Sequence, residues 1–161
     1  MDIPFSLAGR TALIAGASSG FGARFAALFA AAGARVVLGA RRTDRTAELA
    51  EKIKAAGGEA LAVPLDVTDE ASIIAAYDAA EERFGTVDSI VANAGVAATG
   101  RSTDVPADRL QMLLDTNFKG VYLVAREGAK RLIASGSREK ENGRIVIIGS
   151  ITSRLTGEGD S

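Results

Sequence analysis

The sequence contains no cysteine and no histidine, and these two absences exclude whole classes of chemistry. Without cysteine the chain can form no disulfide framework, no Cys-ligated zinc site and no thiol nucleophile. Without histidine it can form no Ser-His-Asp triad, and it offers no imidazole as a base. Any acid–base chemistry therefore has to use tyrosine, lysine, aspartate or glutamate.

The sequence also has little net charge and no long apolar run. Its formal net charge of -1 indicates neither nucleic acid nor an anionic membrane as a partner. Arg24, Arg35 and Arg41 interrupt the apolar N-terminal third, so no stretch reaches the length of a membrane span. The first four residues lack the basic start and apolar core of a signal peptide. We therefore expect a cytoplasmic protein without a metal site.

Apolar strand-like runs alternate with helical patterns along the chain. At 161 residues it is long enough for one domain with a core and short for two. The predicted strands are 11–16, 35–39, 60–65, 87–92 and 144–149. The predicted helices are 20–32, 43–56, one capped by Thr68 and ending at Gly85, one opened by Asp104 and Pro106, and 117–135. Residues 137–143 are predicted to be a charged loop.

This alternation predicts an α/β fold with a parallel sheet covered by helices on both faces. Pro64 cannot donate a ladder hydrogen bond, so the third strand should lie at or near an edge. Helical periodicity predicts two buried faces, formed by Phe21, Phe25, Leu28, Phe29 and Ala32, and by Ile73, Ile74, Tyr77, Ala80 and Phe84.

A glycine-rich turn, Gly16-Ala17-Ser18-Ser19-Gly20-Phe21-Gly22, joins the first strand to the first helix. Backbone N–H groups at such a turn can face an anion. Gly16 allows a sharp turn, while Gly20 and Gly22 are expected to leave no side chain between backbone and ligand. The turn therefore predicts nucleotide binding, although a tight turn without a ligand has the same pattern.

Further polar positions follow the other strands, where ligands of parallel sheets bind. Arg41 and Arg42 stand after Ala40, where an acidic residue would favour ribose hydroxyls, so this loop favours a 2′-phosphate. The remaining polar segments after strands are Asp66-Val67, Asn93-Ala94-Gly95 and Ser150. Each of them can also be interpreted more simply as a helix cap or a turn.

In this order and spacing the motifs resemble those of the short-chain dehydrogenase/reductase family over essentially the whole chain. The matching positions are the glycines of the turn, Asp66 as the adenine contact, Asn93-Ala94-Gly95, Asn117 of the catalytic tetrad and the substrate-facing Ser150. Two small departures are Ala15 and Ala92, where the family usually has threonine and asparagine. The resemblance implies a Rossmann-type doubly wound sheet of order 3-2-1-4-5.

The resemblance also implies an NADP-dependent oxidoreductase that transfers hydride between nicotinamide and a small-molecule carbonyl or secondary alcohol. In this setting Arg41 points to NADP rather than NAD. Ser150 would polarise the substrate oxygen, and Asn117 would hold a water that relays protons to a lysine. A homodimer or homotetramer is expected of the complete protein.

The family's general acid, a tyrosine with a lysine four residues later, would fall just beyond Ser161. Tyr77 and Tyr122, the two tyrosines present, are followed at that spacing by Glu81 and Arg126. We therefore expect residues 1–161 to be a single dinucleotide-binding domain that is incomplete at its C-terminus. An inactive dinucleotide-binding fragment or regulatory module is the alternative. A methyltransferase is disfavoured because Ala40 replaces the acidic residue that it would need.

Overall fold

Five parallel strands form one sheet in a computed structural model that describes residues 5–98 and 100–150. They are β1 (Thr11–Ala15), β2 (Arg35–Ala40), β3 (Glu59–Pro64), β4 (Ser89–Ala92) and β5 (Arg144–Ile147). Their order across the sheet is β3-β2-β1-β4-β5, which confirms the expected order. β3 is an edge strand, so Pro64 lies where its missing N–H costs no ladder hydrogen bond.

Helices follow the strands and cover both faces of the sheet. They are α1 (Gly20–Ala31), α2 (Thr43–Ala55), α3 (Glu70–Phe84), α4 (Ala107–Leu114), α5 (Val121–Ala134) and α6 (Ser137–Lys140). A 3-10 turn spans Ser102–Asp104, and a π-helical turn, Asp115–Gly120, joins α4 to α5. No helix within residues 5–98 and 100–150 has the length and apolarity to cross a membrane.

The strands supply two separate cores because successive side chains point to opposite faces. Leu13 of β1 belongs to the cluster under α3 and α5, which includes Tyr77 and Val124. Its neighbours Ala12 and Ile14 belong to the cluster under α1 and α2. This burial on both faces accounts for the near-continuous apolar strands, from which the covered sheet was predicted.

Two residues expected on buried helix faces are exposed. Phe21 is 72% exposed because it lies in the first turn of α1, where its ring stacks only on Phe25, at a centroid distance of 6.2 Å. Ile74 is 38% exposed, whereas Ile73 beside it is buried. Adjacent helical residues differ by about 100° in direction, so one helix face cannot bury both.

Several predicted boundaries were also wrong in detail. Asp69, not Thr68, caps α3, because its carboxylate accepts the N–H of Ala71 at 3.0 Å. The helix opened near Asp104 begins only at Ala107, and it runs through the π-helical turn into α5 without a break. Residues 137–140 of the expected charged loop form the short helix α6, with Ser137 buried against Asn142.

Tyr77 ties α3 to α5 in the larger core. Its ring is 1% exposed, and its hydroxyl donates to the carbonyl of Val124 at 3.0 Å. Gly128 permits this contact, since a Cβ there would lie 2.5 Å from the tyrosine hydroxyl. The interpretation of Tyr77 as a core residue is therefore confirmed.

Replacing Tyr77 with phenylalanine should lower the free energy of unfolding by about 1 kcal/mol, because a buried hydrogen bond is lost while the ring remains. Urea denaturation measures this change. Tyr122→Phe is the matched control when both variants are measured as monomers, since Tyr122 is 58% exposed in the single chain and should show no change. Equal effects of the two variants would contradict the assignment of this hydrogen bond.

Candidate functional site

The carboxyl ends of β1, β2, β3 and β4 open into one cleft of about 300 Å³. Ten predicted site residues line it, namely Gly16, Ser18, Ser19, Arg41, Arg42, Asp66, Val67, Asn93, Ala94 and Gly95. Ala40, Leu65, Val96 and Thr116 complete the lining. Five predicted residues do not line the cleft, namely Gly20, Phe21, Gly22, Asn117 and Ser150.

The glycine turn is held against both neighbouring strand ends. The N–H of Gly16 donates to the carbonyl of Gly39 at 2.8 Å. On the opposite side, the side-chain amide of Asn93 donates to the carbonyl of Gly16 at 3.2 Å. Gly16 has a φ of +82°, and a Cβ there would lie 2.7 Å from the Cα of Ala94. This position therefore requires glycine for both its conformation and its close contact.

Gly20 and Gly22 have different structural roles, although the sequence analysis expected the same role for both. Gly20 has a φ of +57°, and a Cβ there would meet nothing within 4 Å, so this glycine is required for its backbone conformation rather than for a close contact. A Cβ at Gly22 would lie 2.2 Å from the carbonyl oxygen of Gly16. Gly22 therefore lets α1 pack on its own turn, a packing role that the sequence did not indicate, and its expected role toward a ligand stays a prediction.

Arg42 bridges the glycine turn and the end of β2. One of its guanidinium nitrogens, Nη2, donates to Ser18 Oγ at 2.9 Å and to Ser19 Oγ at 3.0 Å. Ser19 is the N-cap of α1, and its hydroxyl makes no capping hydrogen bond. A fixed cation therefore lies beside the N-terminus of α1, where the helix dipole also favours an anion.

Asp66 lines the same cleft as this arginine and stays ionised. Partial burial alone would raise its pKa, but two hydrogen bonds from Thr68 and the positive charge of Arg41 lower the pKa below the usual value. Both hydrogen bonds, at 3.0 Å from the N–H and 2.8 Å from the hydroxyl, go to Oδ1. No further partner among the described residues occupies Oδ2, so this oxygen is available as an acceptor.

Asn117 lies in the π-helical turn and uses both ends of its side-chain amide on one residue. Its Oδ1 accepts the N–H of Val96 at 2.8 Å, and its Nδ2 donates to the Val96 carbonyl at 2.8 Å. Such turns often occur at functional sites. Here the turn ties the long helix to the segment after β4. No sequence motif indicated Val96 as a site residue, and only the position of Thr116 next to Asn117 could have indicated Thr116.

The tyrosines and the predicted serine lie away from the cleft lining. Burial, together with the negative charge of Glu127, raises the pKa of Tyr77, so its hydroxyl stays protonated. Tyr122 is exposed on α5, with the Arg126 guanidinium 5.8 Å from its ring centre. Ser150 is exposed after β5. Neither tyrosine is positioned as an acid in the cleft.

Known proteins with this arrangement are numerous, and two curated relatives illustrate the similarity. Short chain dehydrogenase claC of Passalora fulva is 34% identical over 153 residues, which cover 94% of this chain and 55% of the relative. Versicolorin reductase stcU of Emericella nidulans is 32% identical over 154 residues, with 95% and 56% covered. The chain thus spans little more than half the length of these relatives.

Solved structures show the same fold at similar identity. A short-chain type dehydrogenase/reductase from Mycobacterium marinum superposes with a TM-score of 0.89 at 33% identity, covering 95% of this chain and 60% of the other. A 3-ketoacyl-(acyl-carrier-protein) reductase from Brucella melitensis, complexed with NADH, gives a TM-score of 0.85 at 34% identity, with 92% and 60% covered. The family model for short chain dehydrogenases matches residues 10–161. On these similarities and the strand-end cleft, the chain belongs to the short-chain dehydrogenase/reductase family.

Proposed function

We propose that this chain is the dinucleotide-binding part of an NADP-dependent oxidoreductase. The reaction would transfer hydride between nicotinamide and a carbonyl or secondary alcohol substrate. The observation that carries the proposal is the cleft, in which the glycine turn, two arginines and Asp66 meet at one edge of the sheet. The relatives described above support the reaction class through their names as dehydrogenases and reductases.

The chemistry of the cleft fits a dinucleotide with a 2′-phosphate. The N-terminus of α1, whose N-cap residue Ser19 lines the cleft, suits a pyrophosphate. Oδ2 of Asp66 can accept an exocyclic amine such as that of adenine. Arg42, held by two serine hydroxyls, offers a pre-positioned guanidinium for a phosphate. Ala40 carries no carboxylate, so this position neither repels a 2′-phosphate nor binds ribose hydroxyls.

Nicotinamide, when bound, supplies or accepts the hydride. Ser150 would orient and polarise the substrate oxygen. Because the Asn117 side chain is used on Val96, we propose that a proton-relaying water is held by a main-chain carbonyl of the π-helical turn. The tyrosine and lysine that complete the resemblance are not among residues 1–161. A dinucleotide-binding fragment or regulatory module without turnover therefore remains the alternative function.

Arg41→Ala and Arg42→Ala should each weaken NADP binding by about 1.5–3 kcal/mol, because a charge-assisted pair with the phosphate is lost. Binding of NAD should change much less. Calorimetric titration with both cofactors measures the difference. Arg45→Ala is the matched control, since Arg45 is exposed on α2 and does not line the cleft. Unchanged discrimination in both cleft variants would contradict an NADP preference and favour NAD.

The 161-residue chain should bind NADP(H) and show no hydride transfer to a ketone. General acid catalysis contributes about 10²–10⁴-fold, and no tyrosine is positioned to supply it. Loss of NADPH absorbance with a panel of ketones is the measurement, with a full-length relative as the positive control. Turnover by this chain would show that the tyrosine-based mechanism does not apply to it.

An exposed apolar stripe supports a homodimer or homotetramer. It lies on the long helix, the continuous helix formed by α4, the π-helical turn and α5. Leu110, Leu114, Phe118 and Tyr122 recur every fourth residue, and each is about half exposed or more. Four-residue spacing places them on one side of the helix. A stripe of large apolar side chains on the surface is typical of a protein interface. We propose that this stripe packs against its counterpart in a second copy of the chain.

Phe118→Glu should convert an oligomer into a monomer, because a charge would be buried unpaired in the interface. Light scattering after size-exclusion chromatography measures the mass. Ile133→Glu is the matched control, since Ile133 is equally exposed, at 75%, but lies outside the stripe. A Phe118→Glu protein that keeps the parental oligomeric mass would rule out this interface.

A further inference from the structure

We propose that a second cavity, beside the cleft, binds the anionic end of a hydroxylated substrate. The inference rests on the proposed oxidoreductase function and narrows its substrate class to carbonyl or alcohol compounds that carry a carboxylate or phosphate together with hydroxyl groups. The cavity has a volume of about 240 Å³. It is lined by Ala98, Gly100, Arg101, Asp104, Val105, Pro106 and Arg109.

Two arginines, carried by different elements, line this cavity. Arg101 precedes the 3-10 turn, which closes with a hydrogen bond from the Asp104 N–H to the Arg101 carbonyl at 2.9 Å. Arg109 lies in the first turn of α4, which closes with a hydrogen bond from the Leu110 N–H to the Pro106 carbonyl at 3.0 Å. Both arginines are therefore carried by short hydrogen-bonded turns, although their side chains are exposed.

Neither arginine has its charge paired with another side chain in the part of the chain that the structure describes. Arg101 and Arg109 form no side-chain hydrogen bond or ion pair with any residue that the structure describes. Arg131 shows the contrast, since it pairs with Asp78, Glu81 and Glu127 at 2.7–2.8 Å. Guanidinium groups bind carboxylate and phosphate in a bidentate manner, so two unpaired groups at one cavity favour an anion.

Asp104 narrows the class of ligand that this cavity can bind. Its carboxylate lines the same cavity, and its Oδ1 accepts the Thr103 hydroxyl at 3.1 Å. A carboxylate repels a bare anion, but it accepts hydrogen bonds from hydroxyl groups. A ligand that places an anionic group on the arginines and a hydroxyl on Asp104 satisfies both. This requirement selects hydroxylated acids and polyol phosphates over fatty or aromatic acids.

The cavity lies close enough to the cleft for one molecule to reach both. Val96 lines the cleft, and Ala98, two residues later, lines the cavity. Two residues of extended chain span at most about 7 Å. Asn117 holds Val96 through two hydrogen bonds and thereby fixes the start of the connecting segment. A substrate of a few carbon atoms can thus place its anionic end here and its reacting carbon at the cleft.

Titration of the 161-residue chain, saturated with NADP, against gluconate and glycerol phosphate tests this site. Amide chemical shifts and calorimetry both report binding without turnover. Gluconate or glycerol phosphate should bind at least tenfold more tightly than the uncharged polyol sorbitol. The comparison of the two anions shows whether carboxylate or phosphate is preferred. Arg101→Gln and Arg109→Gln should each weaken anion binding about tenfold or more.

Two further variants make the result specific. Arg138→Gln, which removes an exposed arginine from a different groove, should leave anion binding unchanged. Asp104→Asn should reduce the preference for gluconate over hydroxyl-free butyrate. Equal binding of gluconate and sorbitol, or loss of binding in Arg138→Gln as large as in Arg101→Gln, would overturn the inference. In either case retained NADP binding leaves the proposed cofactor function intact, whereas failure to bind NADP would count against that function itself.

Discussion

The close approach of backbone to backbone at the glycine turn constrains the rest of the site. Gly16 contacts the segment after β4 at a distance that no Cβ would permit, and Gly22 contacts the carbonyl of Gly16 in the same way. Asn93 closes the arrangement by donating to the carbonyl of Gly16. These contacts set the position of α1 relative to β1 and β4. The open N-terminus of α1 and the hydroxyls of the turn face the cleft only because that position is fixed.

Charge is distributed over the cleft by elements that are far apart in the chain. Arg42 comes from the end of β2 and is held by two serines of the glycine turn. Asp66 follows the end of β3, and against the effect of partial burial its pKa is lowered by two hydrogen bonds from Thr68 and by the charge of Arg41. The result is a cleft whose lining carries both cationic and anionic side chains. Such an arrangement can orient a dinucleotide, because its phosphates and its adenine need groups of opposite character.

Two apolar surfaces are exposed among residues 5–98 and 100–150. Ile145, Val146 and Ile147 of β5 are all more than one-third exposed at the end of the sheet. Elsewhere in the sheet both faces are packed, and a residue such as Ile90 of β4 is fully buried. The other surface is the stripe on the long helix. Edge strands of this composition readily pair with further strands.

The sequence by itself determined the order of strands and helices, the two-sided burial of the sheet and the strand ends that form the cleft. These follow from local periodicity and from the rule that parallel strands end at one edge. Only the tertiary structure decided that Gly22 serves packing, that Phe21 is exposed, and that Asn117 is bonded to Val96. It also decided that Arg101 and Arg109 share a cavity. Each of these depends on a distance or a direction in space, which the identities of the residues do not fix until the elements have packed.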